Sequence, residues 1–131
     1  MILVGKDAEE FENAYFEAKR VDEREFKGRS ASPGVGRGKV KVVLGVEEFN
    51  KFDEGDVLVA RNTSPDFVAI MKKASAIVAE AGGLTAHVSV VSREFGIPCV
   101  VGIPDIVELL KDGDLVEVDA NKGIVKILEK P

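Results

Sequence analysis

The residues best suited to chemistry lie together in Glu80-Ala81-Gly82-Gly83-Leu84-Thr85-Ala86-His87. His87 is the only histidine of the 131 residues. An apolar, strand-like run precedes this stretch and a helix-like pattern follows it. Gly82 and Gly83 therefore form a turn where backbone can approach an anion with no Cβ in the way. The N-terminus of the helix that follows offers unpaired N–H groups and a partial positive charge. His87 falls in its first turn, where a positive helix end disfavours the imidazolium. A neutral ring nitrogen can attack phosphorus, and the anion so formed is stabilised by the same helix end. Thr85 is placed to bond phosphoryl oxygens or to cap the helix, and Ser89 is a further candidate contact. Each feature also has a plainer role: a structural histidine, a tight turn, an N-cap. Together they describe an anion site with a nucleophile in it.

The elements that must position this site follow from patterning. Phe11, Ala14, Tyr15 and Ala18 give one face of a helix over Asp7 to Arg20. The charged stretch Asp22 to Lys27 reads as a linker or a fraying helix end. Ser32 to Gly38 reads as a turn, and strands are expected from Lys39 to Leu44 and from Asp56 to Ala60. Ser64-Pro65-Asp66 has the composition of a helix start, with Phe67, Ile70, Met71 and Ala74 as its buried face. Ser75 to Ala79 reads as a buried strand. A helix is expected from Thr85 to Phe95, with Val88, Val91 and Phe95 inward and Gly96 at its C′ position. A strand at Pro98 to Val101, a short helix at Ile106 to Leu110 and a hairpin of Asp114 to Asp119 with Gly123 to Leu128 complete the chain. The class is mixed α/β, a sheet covered by helices.

Composition narrows the function. Hydrophobic residues make up 45% and charged residues 31%, which suits a folded domain with a core. The net charge of −5 and the lack of a basic stripe argue against nucleic-acid binding. No apolar run is long enough to cross a bilayer, and Met1 to Gly5 is too short for a signal peptide, so cytoplasmic residence is the expectation. A single cysteine, Cys99, cannot form an internal disulfide, and its apolar surroundings suit a core residue. The absence of Gln and the wealth of Lys and Glu lean toward a thermophilic source.

The run from Gly82 to Gly102 resembles, without a gap, the signature of the mobile phosphohistidine domain of the phosphoenolpyruvate-utilising enzymes. Its pattern of Gly-Gly, any residue, Thr, small residue, His, apolar helix, Arg and Gly-Ile-Pro is kept in full. Phosphoenolpyruvate synthase (pyruvate, water dikinase) looks nearest, with pyruvate phosphate dikinase and enzyme I of the sugar phosphotransferase system as relatives. The resemblance implies a three-layer β/β/α swivelling domain over residues 28–131, after an N-terminal helix and linker over 1–27. It implies that His87 is the phosphohistidine and that Nε2 is the bonded atom; the residues alone leave Nε2 and Nδ1 open. Thr85 matches a threonine that a regulatory kinase modifies in some dikinases. Arg93 matches a recurring position, either a phosphate contact or a brace that holds the fold. The chain has no Gly-rich nucleotide loop and is too short for a barrel of the usual ~250 residues. No metal or cofactor is expected on it. Mg²⁺ and ATP or phosphoenolpyruvate would come with nucleotide-binding and pyruvate-binding domains on other polypeptides. The expected function is a phosphoryl carrier, a phosphotransferase component and not a complete enzyme. The alternative is a non-catalytic binding or regulatory module that docks on a full-length relative.

Overall fold

A computed structural model describes residues 24–131. The helix expected over Asp7 to Arg20 lies outside the described residues. The centre of the fold is three short strands with purely apolar sequences: β4 Val57–Ala60, β5 Ala76–Ala79 and β6 Cys99–Val101. All their residues are fully buried. Continuous apolar runs of this kind suit parallel strands covered on both faces, and β4–β5 and β5–β6 pair in parallel.

Alternation along these strands separates two cores. Leu58, Ala60, Ile77, Ala79, Cys99 and Val101 face Phe67, Ile70, Met71 and Val88 on the helix side. Val57, Val59, Ala76, Val78 and Val100 face Val116, Val118, Val125 and Ile127 of a second sheet. A side-chain period of two sends neighbours to opposite faces, so one strand serves both cores. The result is three layers: sheet, sheet, helices.

β3, Val35–Val42, joins the two sheets. Its residues 35–39 pair antiparallel with β7, Leu115–Asp119, and residues 40–42 pair parallel with β4. β8, Ile124–Glu129, forms the expected hairpin with β7. β1, Glu25–Lys27, lies antiparallel to β8, and β2, Arg29–Ser32, lies antiparallel to β6. The strand order is β1-β8-β7-β3-β4-β5-β6-β2. On the helical side a 3₁₀ turn at Pro65–Phe67 leads into α1, Val68–Met71. α2 spans His87–Phe95, and α3 is Ile106–Leu109.

Several expectations need correction. Glu25 to Lys27 is an edge strand and not a linker; its charges suit an edge exposed to solvent. Ser32 to Gly38 is mostly strand. Only Gly34, with φ 124°, serves the turn. A Cβ on Gly36 would lie 2.2 Å from the Ser75 carbonyl oxygen, and one on Gly38 would lie 2.3 Å from that of Gly55. These two glycines mark close backbone approach where β3 passes between sheets, not a break in the strand. A 3₁₀ segment at Val46–Lys51 was not anticipated. Phe95 remains 39% exposed, with the Lys72 ammonium 5.6 Å above its ring, while Ser89 and Ser92 take the buried positions.

Candidate functional site

β4 and β5 are parallel neighbours, so the loops leaving their carboxyl ends lie side by side. One carries Thr63, the other Gly82 to His87. Ligand sites of α/β sheets favour this end of the strands. His87 is the first residue of α2 and is half-buried. Its Nδ1 lies 2.8 Å from Thr63 Oγ1. Thr63 is itself buried, and its backbone N–H donates to Asn62 Oδ1. Nε2 has no hydrogen-bond partner among the described residues. In the tautomer whose Nδ1–H donates to the Thr63 hydroxyl, the ring's lone pair lies on Nε2; in the other, the hydroxyl donates to Nδ1.

The helix end beside this ring is open. Ala86 holds the N-cap position, extended and with no side-chain cap. The first-turn N–H groups of α2 therefore lack the acceptor that a capping side chain would supply. Thr85 is exposed in the turn before Ala86 and does not cap the helix.

The Gly-Gly turn is held from behind. Gly82 has φ 128°, a conformation that glycine adopts without strain, and a Cβ there would lie 3.4 Å from Val88 and Val101 side-chain atoms. Gly83 is exposed, and a Cβ on it would meet nothing within 4 Å. Its carbonyl oxygen accepts the Ala86 N–H at 3.2 Å and the Ser89 hydroxyl at 2.8 Å. Ser89 is fully buried. Arg93 Nη2 donates to the Leu84 carbonyl at 2.6 Å, and Nη1 donates to that of Ala31 in β2 at 3.0 Å. Ser89 and Arg93 thus grip the backbone of the turn. Gly96, with φ 68°, ends α2 as expected: its N–H bonds Arg93 O, and the Ile97 N–H bonds Ser92 O. Cys99 lies under the helix. Burial pushes its thiol up to about 11, against the opposing pull of the Ser92 hydroxyl and the Arg93 charge.

Sequence reasoning missed Thr63 as a site residue. It lies 24 positions before His87. Only the parallel pairing of β4 with β5 brings the two loops together. Its signal in the sequence was its place just after an apolar strand, in the Thr63-Ser64-Pro65-Asp66 segment.

Residues 52–123 match the family described as PEP-utilising enzyme, mobile domain. A probable phosphoenolpyruvate synthase of Archaeoglobus fulgidus is 48% identical over 92% of this chain, which spans 15% of that protein's length. Among solved structures, Enzyme I aligns with a TM-score of 0.53 and 34% identity over 61% of this chain and 33% of its own. Aconitase X of Thermococcus kodakaraensis aligns with a TM-score of 0.59 and 25% identity, over 80% of this chain and 98% of its own. The fold therefore occurs with different named activities, and the site must decide function. The match across residues 52–123, centred on the Gly82 to His87 site, places the chain in the mobile domain family of the PEP-utilising enzymes.

Proposed function

We propose that this chain is the phosphoryl-carrying module of a phosphoenolpyruvate synthase-like phosphotransferase, with Nε2 of His87 as the carrier atom. The hydrogen bond between His87 Nδ1 and Thr63 Oγ1 carries this reading. It occupies one ring nitrogen and turns the other into the free nucleophile. In the forward step the Nε2 lone pair forms the N–P bond as the donor's P–O bond breaks, and the leaving oxygen keeps the electron pair. The Nδ1 proton stays on the ring against Thr63. The uncapped N–H groups of α2 face the new phosphoryl charge, as helix N-termini commonly do for anions. Transfer to pyruvate or another acceptor reverses the same bond changes.

The chain's 15% share of its relative's length fits a carrier whose donor and acceptor sites lie on other domains. Mg²⁺, together with ATP or phosphoenolpyruvate, would be held there. We place those domains on separate polypeptides in the cytoplasm; no described helix is long and apolar enough to cross a membrane.

The test is incubation with labelled ATP or phosphoenolpyruvate and a phosphoenolpyruvate synthase lacking its own mobile domain. The expected product is an acid-labile, base-stable phosphoprotein that is absent in His87→Ala. No label from either donor would overturn the carrier reading and leave a binding module.

A further inference from the structure

A groove of about 450 Å³ lies between the C-terminal end of β3 and α3. Val42 and Leu44 line one bank, and Val107 and Leu110 line the other. Its margin is apolar and open. Leu44 is 53% exposed, and Val46 and Leu109, each within two residues of a lining position, are 62% and 46% exposed. Three of the seven large apolar side chains exposed among the described residues therefore fall at this one place. Such residues scattered singly would be ordinary; grouped around a groove they mark a contact surface. The charges here are unequally committed. Lys51 is held by Asp112 at 2.9 Å and by Glu48 at 3.8 Å. Lys111, which also lines the groove, has no acidic partner among the described residues.

We propose that this groove seats the N-terminal segment of the same chain, through the face formed by Phe11, Ala14, Tyr15 and Ala18. The proposal is independent of the carrier reading. Three observations select this occupant. The first is patterning. Those four residues give one apolar stripe over the helix expected from Asp7 to Arg20, and an amphipathic helix holds in water chiefly when its stripe is buried. The second is reach. Residues 1–23 lead into Arg24, whose carbonyl oxygen accepts the Ile127 N–H at 2.7 Å, so the segment enters beside β8. Three residues along from Ile127, the Lys130 ammonium bonds Asp114 at 3.3 Å, and the same carboxylate oxygen accepts the Lys111 N–H at 3.0 Å. The end of β8 thus runs from the entry point toward the Lys111 end of the groove, about 10 Å along the strand. The six residues from Ala18 to Arg24 can span up to about 20 Å, which is enough to lay the stripe on the groove. The third is charge. Residues 1–23 carry seven acidic and three basic side chains, an excess that suits the uncommitted Lys111.

The experiment is urea unfolding of the full chain for wild type, Leu44→Ser, Tyr15→Ser, the double variant and Val35→Ser, each at two protein concentrations tenfold apart. Val35 is equally exposed, at 51%, but lies at the start of β3, away from the groove. Leu44→Ser and Tyr15→Ser should each lower the folding equilibrium constant about tenfold, since each removes apolar area from a buried contact. The double variant should fall little further than either single one, because residues in contact do not act additively. Val35→Ser should stay within about twofold of wild type. Leu44→Ser at the wild-type value, or a double variant equal to the product of the two single effects, would overturn the docking. Unfolding midpoints that drop on dilution would assign the groove to a second copy of the chain and overturn the intramolecular contact.

Discussion

At the scale of single residues, the site depends on which ring nitrogen of His87 is free. Thr63 Oγ1 lies 2.8 Å from Nδ1, and on the proposed reading this leaves Nε2 as the reacting atom. Thr63→Val keeps the shape and removes the hydroxyl, so the ring loses its orienting bond. Such a bond contributes about 0.5–1.5 kcal/mol, and the rate of His87 phosphorylation should fall by up to about tenfold. Quenched-flow labelling of the variant with the synthase partner checks this; a rate equal to wild type would remove Thr63 from the site. The two glycines separate by the same reasoning. Gly83 has no neighbour that a methyl group would meet, whereas Gly82 holds φ 128°. Gly83→Ala should change stability by less than about 0.5 kcal/mol. Gly82→Ala should cost about 1–3 kcal/mol through backbone strain. If Gly83→Ala still slows transfer while the melting curve is unchanged, the open space before α2 is where the phosphoryl group approaches. Chemical denaturation and labelling on the same preparations give both readouts.

At the scale of elements, the β5–α2 connection was legible because its signals are local. An apolar strand, two glycines and a helix ended by Gly96 all act over a few residues. The start of α2 was placed two residues early. Thr85 is a good capping type, yet Ala86 takes the cap position and leaves the helix end open. Ser89 bonds the turn's backbone in place of the expected phosphate contact, and Arg93 takes the second of its two expected roles, a brace that holds the fold. Both grip carbonyl groups of the turn. Which way a side chain reaches from a helix depends on where the neighbouring loop runs, and sequence spacing does not contain that. The β1 and β2 strands were missed for a related reason. They are short edge strands with polar residues, and their pairing to β8 and β6 is decided by distant partners.

At the scale of the whole molecule, the two sheets are joined by β3 and fastened at its far end by Asp112. Its carboxylate accepts the Val42 N–H at 2.7 Å and the Lys51 ammonium at 2.9 Å. Burial pushes the Asp112 carboxyl up, but these two partners outweigh it and hold it below its ordinary value of 3.8. A carboxyl whose folded value is lowered stabilises the fold above its unfolded value, and that contribution is lost as pH falls through the folded one. Wild type should therefore lose more stability than Asp112→Asn as pH falls below about 4, from the unfolded value down through the lowered folded one. Urea midpoints of the two proteins across that range test it; parallel curves would show that the pair contributes nothing. The same scale divides what each kind of information determined. By itself the sequence determined the α/β class, the strands near 56–60, 75–79 and 98–101, the closing hairpin and the Gly-Gly-to-His87 turn, because patterning and glycine geometry act over a few neighbouring residues. Only the tertiary structure decided that Thr63 meets His87, that Ser89 and Arg93 brace the turn, and that Gly36 and Gly38 let β3 pass close to neighbouring backbone. Those contacts join positions far apart in the chain, and they exist only once strand order and register have brought the loops together.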